Sequence, residues 1–433
     1  MKITLKFLAL PISLTVFFFT IFCLSELSSI ELSSVKSNGT WIISDFSYYI
    51  FIAKAFWFDK INDLYTFKGL QQAILVAGGI KTNFLMPLAV SPSFFILLFP
   101  FTIVYILFGL NIAQILWTAT SLSLFLSCAF FVLSKIQLSG NRWKFLLFIS
   151  ACLLSRTFYI LGVLGQTTFF AVGCLLCYFI YLTVSHRLSK QCSAVIIAAL
   201  VFCLSIKVSY LAYLMIAILI FEPIKVFIFA GGVSILSFFS LNFLLKDGWV
   251  IDYINSFKIF TAAIIPSYYR EAFSFKGMNI FRSAFNSSST QNLVSISSSL
   301  MLGLFIVVFT YCLFRKFTLK APLRHFESNI LFAMFIGGHL LFAPYLGQYE
   351  DFLLAGLGVV VFLNFQKRIN NFSFFSLLGL TMIVLNFSLL ANFISAPLLW
   401  ACKVLYLANI MVIYLSDKKS PGVEPDILKS KAD

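Results

Sequence analysis

The stretch SAVIIAALVFCLSIKVSYLAYLMIAILIF, residues 193–221, is apolar throughout apart from a few hydroxyls and one lysine near its midpoint, Lys207. A helix of about 20 apolar residues crosses a bilayer core. As one long helix this stretch would hold Lys207 at membrane depth, where an ammonium costs about 3 kcal/mol or more. Two short helices turning at Lys207 avoid that cost and return the charge to the membrane surface. The stretch therefore predicts a membrane-embedded hairpin, and the rest of the chain is read outward from it.

The surroundings agree. Of 433 residues, 61% are hydrophobic and 11% charged, against about half and a quarter in soluble proteins. Further apolar runs lie near 5–25, 86–109, 112–134, 145–163, 167–184, 226–244, 296–314, 328–345, 350–365, 372–393 and 396–415. Backbone facing lipid must satisfy its own hydrogen bonds, so these spans are expected to be helical. The first, MKITLKFLALPISLTVFFFTIFCL, has a basic start and an apolar core but no small-x-small cleavage site after it, and reads as an uncleaved signal anchor.

Charge sets the orientation. A net charge of +15 is read as Lys and Arg gathered in cytoplasmic loops beside anionic lipid, with no nucleic-acid partner. The basic loops KIQLSGNRWK, SHRLSKQ, RKFTLKAPLRHF and QKRINN and the tail all fall inside under two conditions. Residues 193–221 must cross twice, and 86–109, with Pro87, Pro92 and Pro100, must be re-entrant or lie along the interface. The expectation is an all-α polytopic protein of about twelve transmembrane helices with both ends cytoplasmic. Residues 1–415 form one domain, with outer loops at 26–85 and 246–295, and the tail 416–433 is disordered. Eight of the nine cysteines fall inside apolar runs; the Cys174/Cys177 pair sits mid-span without a second pair and is read as packing.

The acids collect in the two outer loops. In ISDFSYYIFIAKAFWF, residues 43–58, Phe46, Tyr49, Ile50, Ala53, Phe56 and Trp57 share one face of a helix and Lys54 lies off it, the pattern of an interfacial amphipathic helix. Asp45 stands at the position of its N-cap. The same carboxylate, held at the membrane surface, is also a candidate general base, and the two roles are compatible. Lys207 either meets an anion such as a lipid phosphate or snorkels to headgroups. Asp63 and Tyr65 in FDKINDLYTF, Gln166 in LGQTTFF, Arg270 in SYYREAFSF, and His339, Tyr349 and Asp351 around APYLGQYED complete a ring of polar groups on one membrane face. Each also has an ordinary reading as a helix-end or solvated residue.

Taken in order, SDFSYYIFIAKAF with DLYTF, MPLAVSPSFFILLFPF, LGQTTFF, LSIKVSYLAYLM and PYLGQYEDFLLA resemble the motif series of glycosyltransferase family 87, a bacterial branch of the C-superfamily of polytopic glycosyltransferases. The likeness spans roughly 43 to 355. It departs from the family where Met86-Pro87 replaces a tandem proline, where Tyr210 replaces a proline after the lysine, and where Glu350 separates Tyr349 from Asp351. The resemblance implies a C-superfamily architecture with interfacial helices in the first outer loop and Asp45 as catalytic aspartate. It also implies a polyprenyl-phosphate sugar donor, commonly mannose, and inversion at the anomeric carbon. The acceptor is then a glycolipid or surface glycan on the periplasmic face of the inner (plasma) membrane. Lys207 and Arg270 would face the donor phosphate, and Tyr48, Tyr49, Asp63, Tyr65, Gln166, His339, Tyr349 and Asp351 would line the substrate. No cofactor is expected: a lipid phosphate carries its own leaving group, no glycine-rich nucleotide loop occurs, and no ligand cluster demands a divalent metal. Two other functions remain as alternatives. A flippase would carry inverted repeats, and none is found; an O-antigen polymerase or ligase would rely on Arg270 more than on Asp45.

Overall fold

The computed structural model describes residues 45–79, 88, 90–136, 139–185, 188–259, 352–365, 369–387 and 396–415, with a few positions between 310 and 317. The described residues are all-helical, without a strand among them. In chain order the helices are α1 (Asp45–Trp57), α2 (Phe67–Gly78), α3 (Ser93–Phe108), α4 (Leu110–Lys135), α5 (Ser139–Leu153), α6 (Arg156–Leu164) and α7 (Thr168–Val184). They continue with α8 (Lys190–Leu204), α9 (Val208–Phe221), α10 (Ile224–Phe239), α11 (Trp249–Ile259), α12 (Leu353–Phe365), α13 (Asn371–Phe387) and α14 (Ala396–Leu415). The runs 5–25 and 328–345, most of 296–314 and the tail lie outside the described residues.

Side-chain contacts fix the helix directions. α4 and α7 run parallel, because Trp117 meets Phe170 near their starts and Cys128 meets Cys177 further along both. α12 runs the same way, with Phe352 on Phe169 and Gly356 against Val172. α5 begins where α4 and α12 end, since Arg142 donates to the Ile136 carbonyl and Phe145 packs on Phe362. α13 starts there too, where Lys144 donates to the Ile369 carbonyl at 3.1 Å.

The 193–221 stretch divides as its lysine suggested. α8 stops at Leu204, Lys207 is extended (φ −130°, ψ 103°), and its carbonyl accepts from the N–H groups of Tyr210 and Leu211 to begin α9. Tyr181, near the end of α7, meets both Ser193 at the start of α8 and Glu222 just past the end of α9. The two helices are therefore the arms of a hairpin with Lys207 at its tip. Lys316 donates to the carbonyls of Leu219 and Glu222 at the opposite end.

Two expectations need correction. Residues 145–163 were expected as one span, but the segment breaks at Leu154–Ser155 into α5 and α6. Ser155 donates its hydroxyl to the Cys152 carbonyl and accepts from the Phe158 N–H, a stop and a start made by one side chain. Helix α1 is not a surface helix with one apolar face. Phe51, Ile52 and Ala55, off the expected stripe, are buried with Phe46, Ile50, Ala53 and Phe56, because α2 and α3 cover the far side. Its first turn rests on Gly165 and its last donates the Trp57 indole N–H to the Phe95 carbonyl at 2.9 Å, so α1 lies across the end of the bundle that Lys207 occupies.

Among the described residues one helix, α4 with 26 residues, is long and apolar enough to cross a membrane unaided. The hairpin arms have 15 and 14 residues, about 21–23 Å at 1.5 Å per residue, shorter than a bilayer core of about 30 Å.

Candidate active site

Four helices begin around Lys207. Its ammonium donates to the Thr168 hydroxyl, in the first turn of α7, at 3.3 Å and lies 5.2 Å from the centre of the Tyr210 ring. Its backbone forms the start of α9. The start of α3 is tied to the same corner by three buried hydroxyls. Ser93 shares a 2.6 Å hydrogen bond with Ser205, Ser91 donates to the Ser205 carbonyl at 2.7 Å, and Ser91 and Ser93 are 2.7 Å apart. The fourth is α1, whose Asp45 feels the charge of Lys207.

The starts of α3, α7 and α9 carry no side-chain cap. The N–H groups of Phe94 and Phe95 donate to the Ser91 and Pro92 carbonyls and those of Tyr210 and Leu211 to the Lys207 carbonyl, so what these starts add to the charge of the ammonium is the positive end of each helix dipole. Such a corner suits an anion with several acceptor oxygens, phosphate above all.

Asp45 lies in the first turn of α1. Burial raises its carboxyl from the ordinary 3.8 to about 6, although Lys207 pulls the other way. A carboxyl with that value can take up and release a proton near neutral pH. What holds it there is the neighbouring residue. Phe46 sits on Gly165, where a Cβ would come within 2.5 Å of the Phe46 Cβ, and stacks on Trp117. Trp117 donates its indole N–H to the Gly165 carbonyl at 3.0 Å. Gly165 adopts φ +61°, the left-handed C-cap of α6. The segment LGQTTFF is thus the seat of α1, and Gln166, buried beside it, belongs to the same corner.

Tyr48 lies in the field of Asp45: burial, Tyr49 and Asp45 together hold its phenol well above the usual range. Tyr49 packs edge-on against Phe94 at the start of α3. The structure therefore brings Asp45, Tyr48, Tyr49, Gln166 and Lys207 to one corner.

Asp63 and Tyr65 serve the loop that frames it. Asp63 forms an exposed ion pair with Lys246 at 3.1 Å. Tyr65 donates to the Val90 carbonyl at 3.1 Å, next to Ser91, and its ring lies against Trp249 and Tyr253. Tyr65 is thus a buried brace between the segment that joins α1 to α2 and α11. Arg270, His339, Tyr349 and Asp351 lie outside the described residues.

Reading the sequence did not single out Thr168 or the Ser91, Ser93 and Ser205 cluster. The signal was faint: SPS and LSIK each place serines beside a helix break, where a hydroxyl can satisfy freed backbone groups. Among the described residues no three metal-ligating side chains gather around one point. Comparison with family models, with curated proteins and with solved structures finds no match to this chain.

Proposed function

We propose that the chain is a polytopic membrane glycosyltransferase akin to family 87, with about twelve crossings, that moves a hexose, mannose by preference, from a polyprenyl phosphate to a glycolipid or surface glycan on the extracytoplasmic face. The observation that carries the reading is the corner itself, a carboxyl raised to about 6 in the field of a lysine around which helix starts converge.

The chemistry follows from these groups. An acceptor hydroxyl attacks the anomeric carbon from the face opposite the phosphate while its proton passes to Asp45. The bond from that carbon to the phosphate oxygen breaks, and the electron pair leaves with polyprenyl phosphate. Lys207 and the positive ends of the α3, α7 and α9 helix dipoles offset the charge growing on that oxygen, a stabilisation of several kcal/mol in a water-poor site. Tyr48, Tyr49 and Gln166 would orient the sugar, with His339, Tyr349 and Asp351 as further candidates from the sequence, and Arg270 would join Lys207 at the phosphate.

The proposed orientation follows the bias of short loops in the sequence. Lys135, Arg142, Lys144, Lys190, Lys225 and Lys316 belong to the end of the bundle opposite Asp45, while Lys54, Lys60, Lys68, Lys207 and Lys246 belong to the Asp45 end, so the orientation rests on the loop charges of the whole sequence. The test is to replace Asp45 by Asn or Ala in cells and measure lipid-linked and surface glycans by mass spectrometry. The expected result is a membrane-inserted protein and the loss of one hexose from a glycan. A glycan profile that is the same with wild type, with the variant and without the protein would reject the proposal.

A further inference from the structure

The interior of the bundle carries a feature that the proposed transfer reaction does not use. The Cys128 and Cys177 sulfurs, on α4 and α7, are 3.5 Å apart, and the thiol of Cys203 on α8 lies within hydrogen-bond reach of that of Cys174 on α7. We propose that Cys128 and Cys177 are an oxidation site, at which a lipid-soluble hydroperoxide converts the two thiols into a disulfide joining α4 to α7.

Three observations select this pair. The parallel helices approach closely one turn earlier, at Gly173, where a Cβ would come within 2.9 Å of the Leu124 side chain and 3.2 Å of the Phe125 nitrogen. That approach sets the two sulfurs side by side, with Cys128 also reaching the Gly173 carbonyl at 3.7 Å. The two thiols also differ in access, because Cys177 is half-buried and Cys128 is buried. A peroxide therefore meets Cys177 first, and a second thiol is already in contact with it.

The steps balance. The Cys177 sulfur attacks one peroxide oxygen, the O–O bond breaks, and an alcohol leaves, giving a sulfenic acid. The Cys128 sulfur then attacks the Cys177 sulfur, the S–O bond breaks, and water departs with the Cys128 proton. Two electrons pass from the sulfurs to the peroxide. Cys177 lies about 14 Å along α7 from Thr168 at 1.5 Å per residue, so the new bond would pin the helices beneath the Lys207 corner without touching it.

The experiment uses the full chain in detergent micelles. The exposed Cys192 is first removed as Cys192→Ser, cumene hydroperoxide is added, and peptides are mapped without reduction. The expected result is a peptide linking Cys128 to Cys177 within one chain, an intact mass lower by two hydrogens, and reversal by dithiothreitol. In Cys128→Ser the link should vanish and Cys177 should proceed to the sulfinic acid; if that variant does not fold, the map with Cys128 in place decides alone. Cys177 overoxidised while Cys128 stays a thiol, a Cys174 to Cys203 link in its place, or links only between chains would each overturn the proposal.

Discussion

Replacing Asp45 by asparagine should stabilise the folded protein while abolishing its chemistry. In the folded state the carboxyl titrates at about 6 instead of 3.8. At pH 8 the native state therefore holds an ionised group that it would rather keep protonated, at a cost of about 3 kcal/mol when each pKa unit is about 1.4 kcal/mol. The sign follows from proton uptake. Between about 6 and 3.8 the native state binds the proton and the unfolded state does not, so the wild type gains stability as pH falls through that window. The amide is neutral throughout. The variant's advantage should thus be greatest, up to about 3 kcal/mol, above pH 7 and shrink toward zero near pH 4. Denaturant unfolding in micelles, followed by tryptophan fluorescence at several pH values, reads this directly. Hexose transfer in the same preparation should fall by about 10²-fold or more. A variant no more stable than wild type at pH 8, with the same pH slope, would refute the claim that burial strains this carboxylate.

Three further outcomes follow from the same corner. Lys207→Gln removes the charge that lowers the Asp45 pKa, so the acid limb of the transfer rate should move upward from about 6; an unmoved limb in a pH-rate profile would separate the two residues. Gly165→Ala places a Cβ 2.5 Å from that of Phe46 at φ +61°, which should cost about 1–3 kcal/mol in unfolding assays and slow transfer by displacing α1; wild-type values in both would contradict the seating of α1. Asp63→Ala breaks only an exposed ion pair, and unfolding should change by less than about 1 kcal/mol; a larger loss would mean that the loop carries more of the fold than this pair suggests.

The part of the architecture governed by simple cost was legible in the sequence. A lysine in a long apolar run can be accommodated in few ways, and the helix break at Lys207 follows. What depends on neighbours distant in the chain was not legible. Nothing in IFIAKAFW says that α2 and α3 will cover Phe51 and Ile52, because an apolar face reads the same whether lipid or protein meets it. The break at Ser155 was hidden because a serine inside an apolar run usually bonds its own helix. The pairing of Cys128 with Cys177 required the register of two parallel helices, which periodicity does not supply.

The serine cluster bears on how the molecule is made. The hydroxyl of Ser91 closes on the carbonyl of Ser205, 114 positions further along the chain. At about 5–20 residues per second, a ribosome needs on the order of ten seconds to deliver the second partner after the first. Until then Asp45 has been synthesised but Lys207 has not, so the corner that the two residues share can close only late in synthesis.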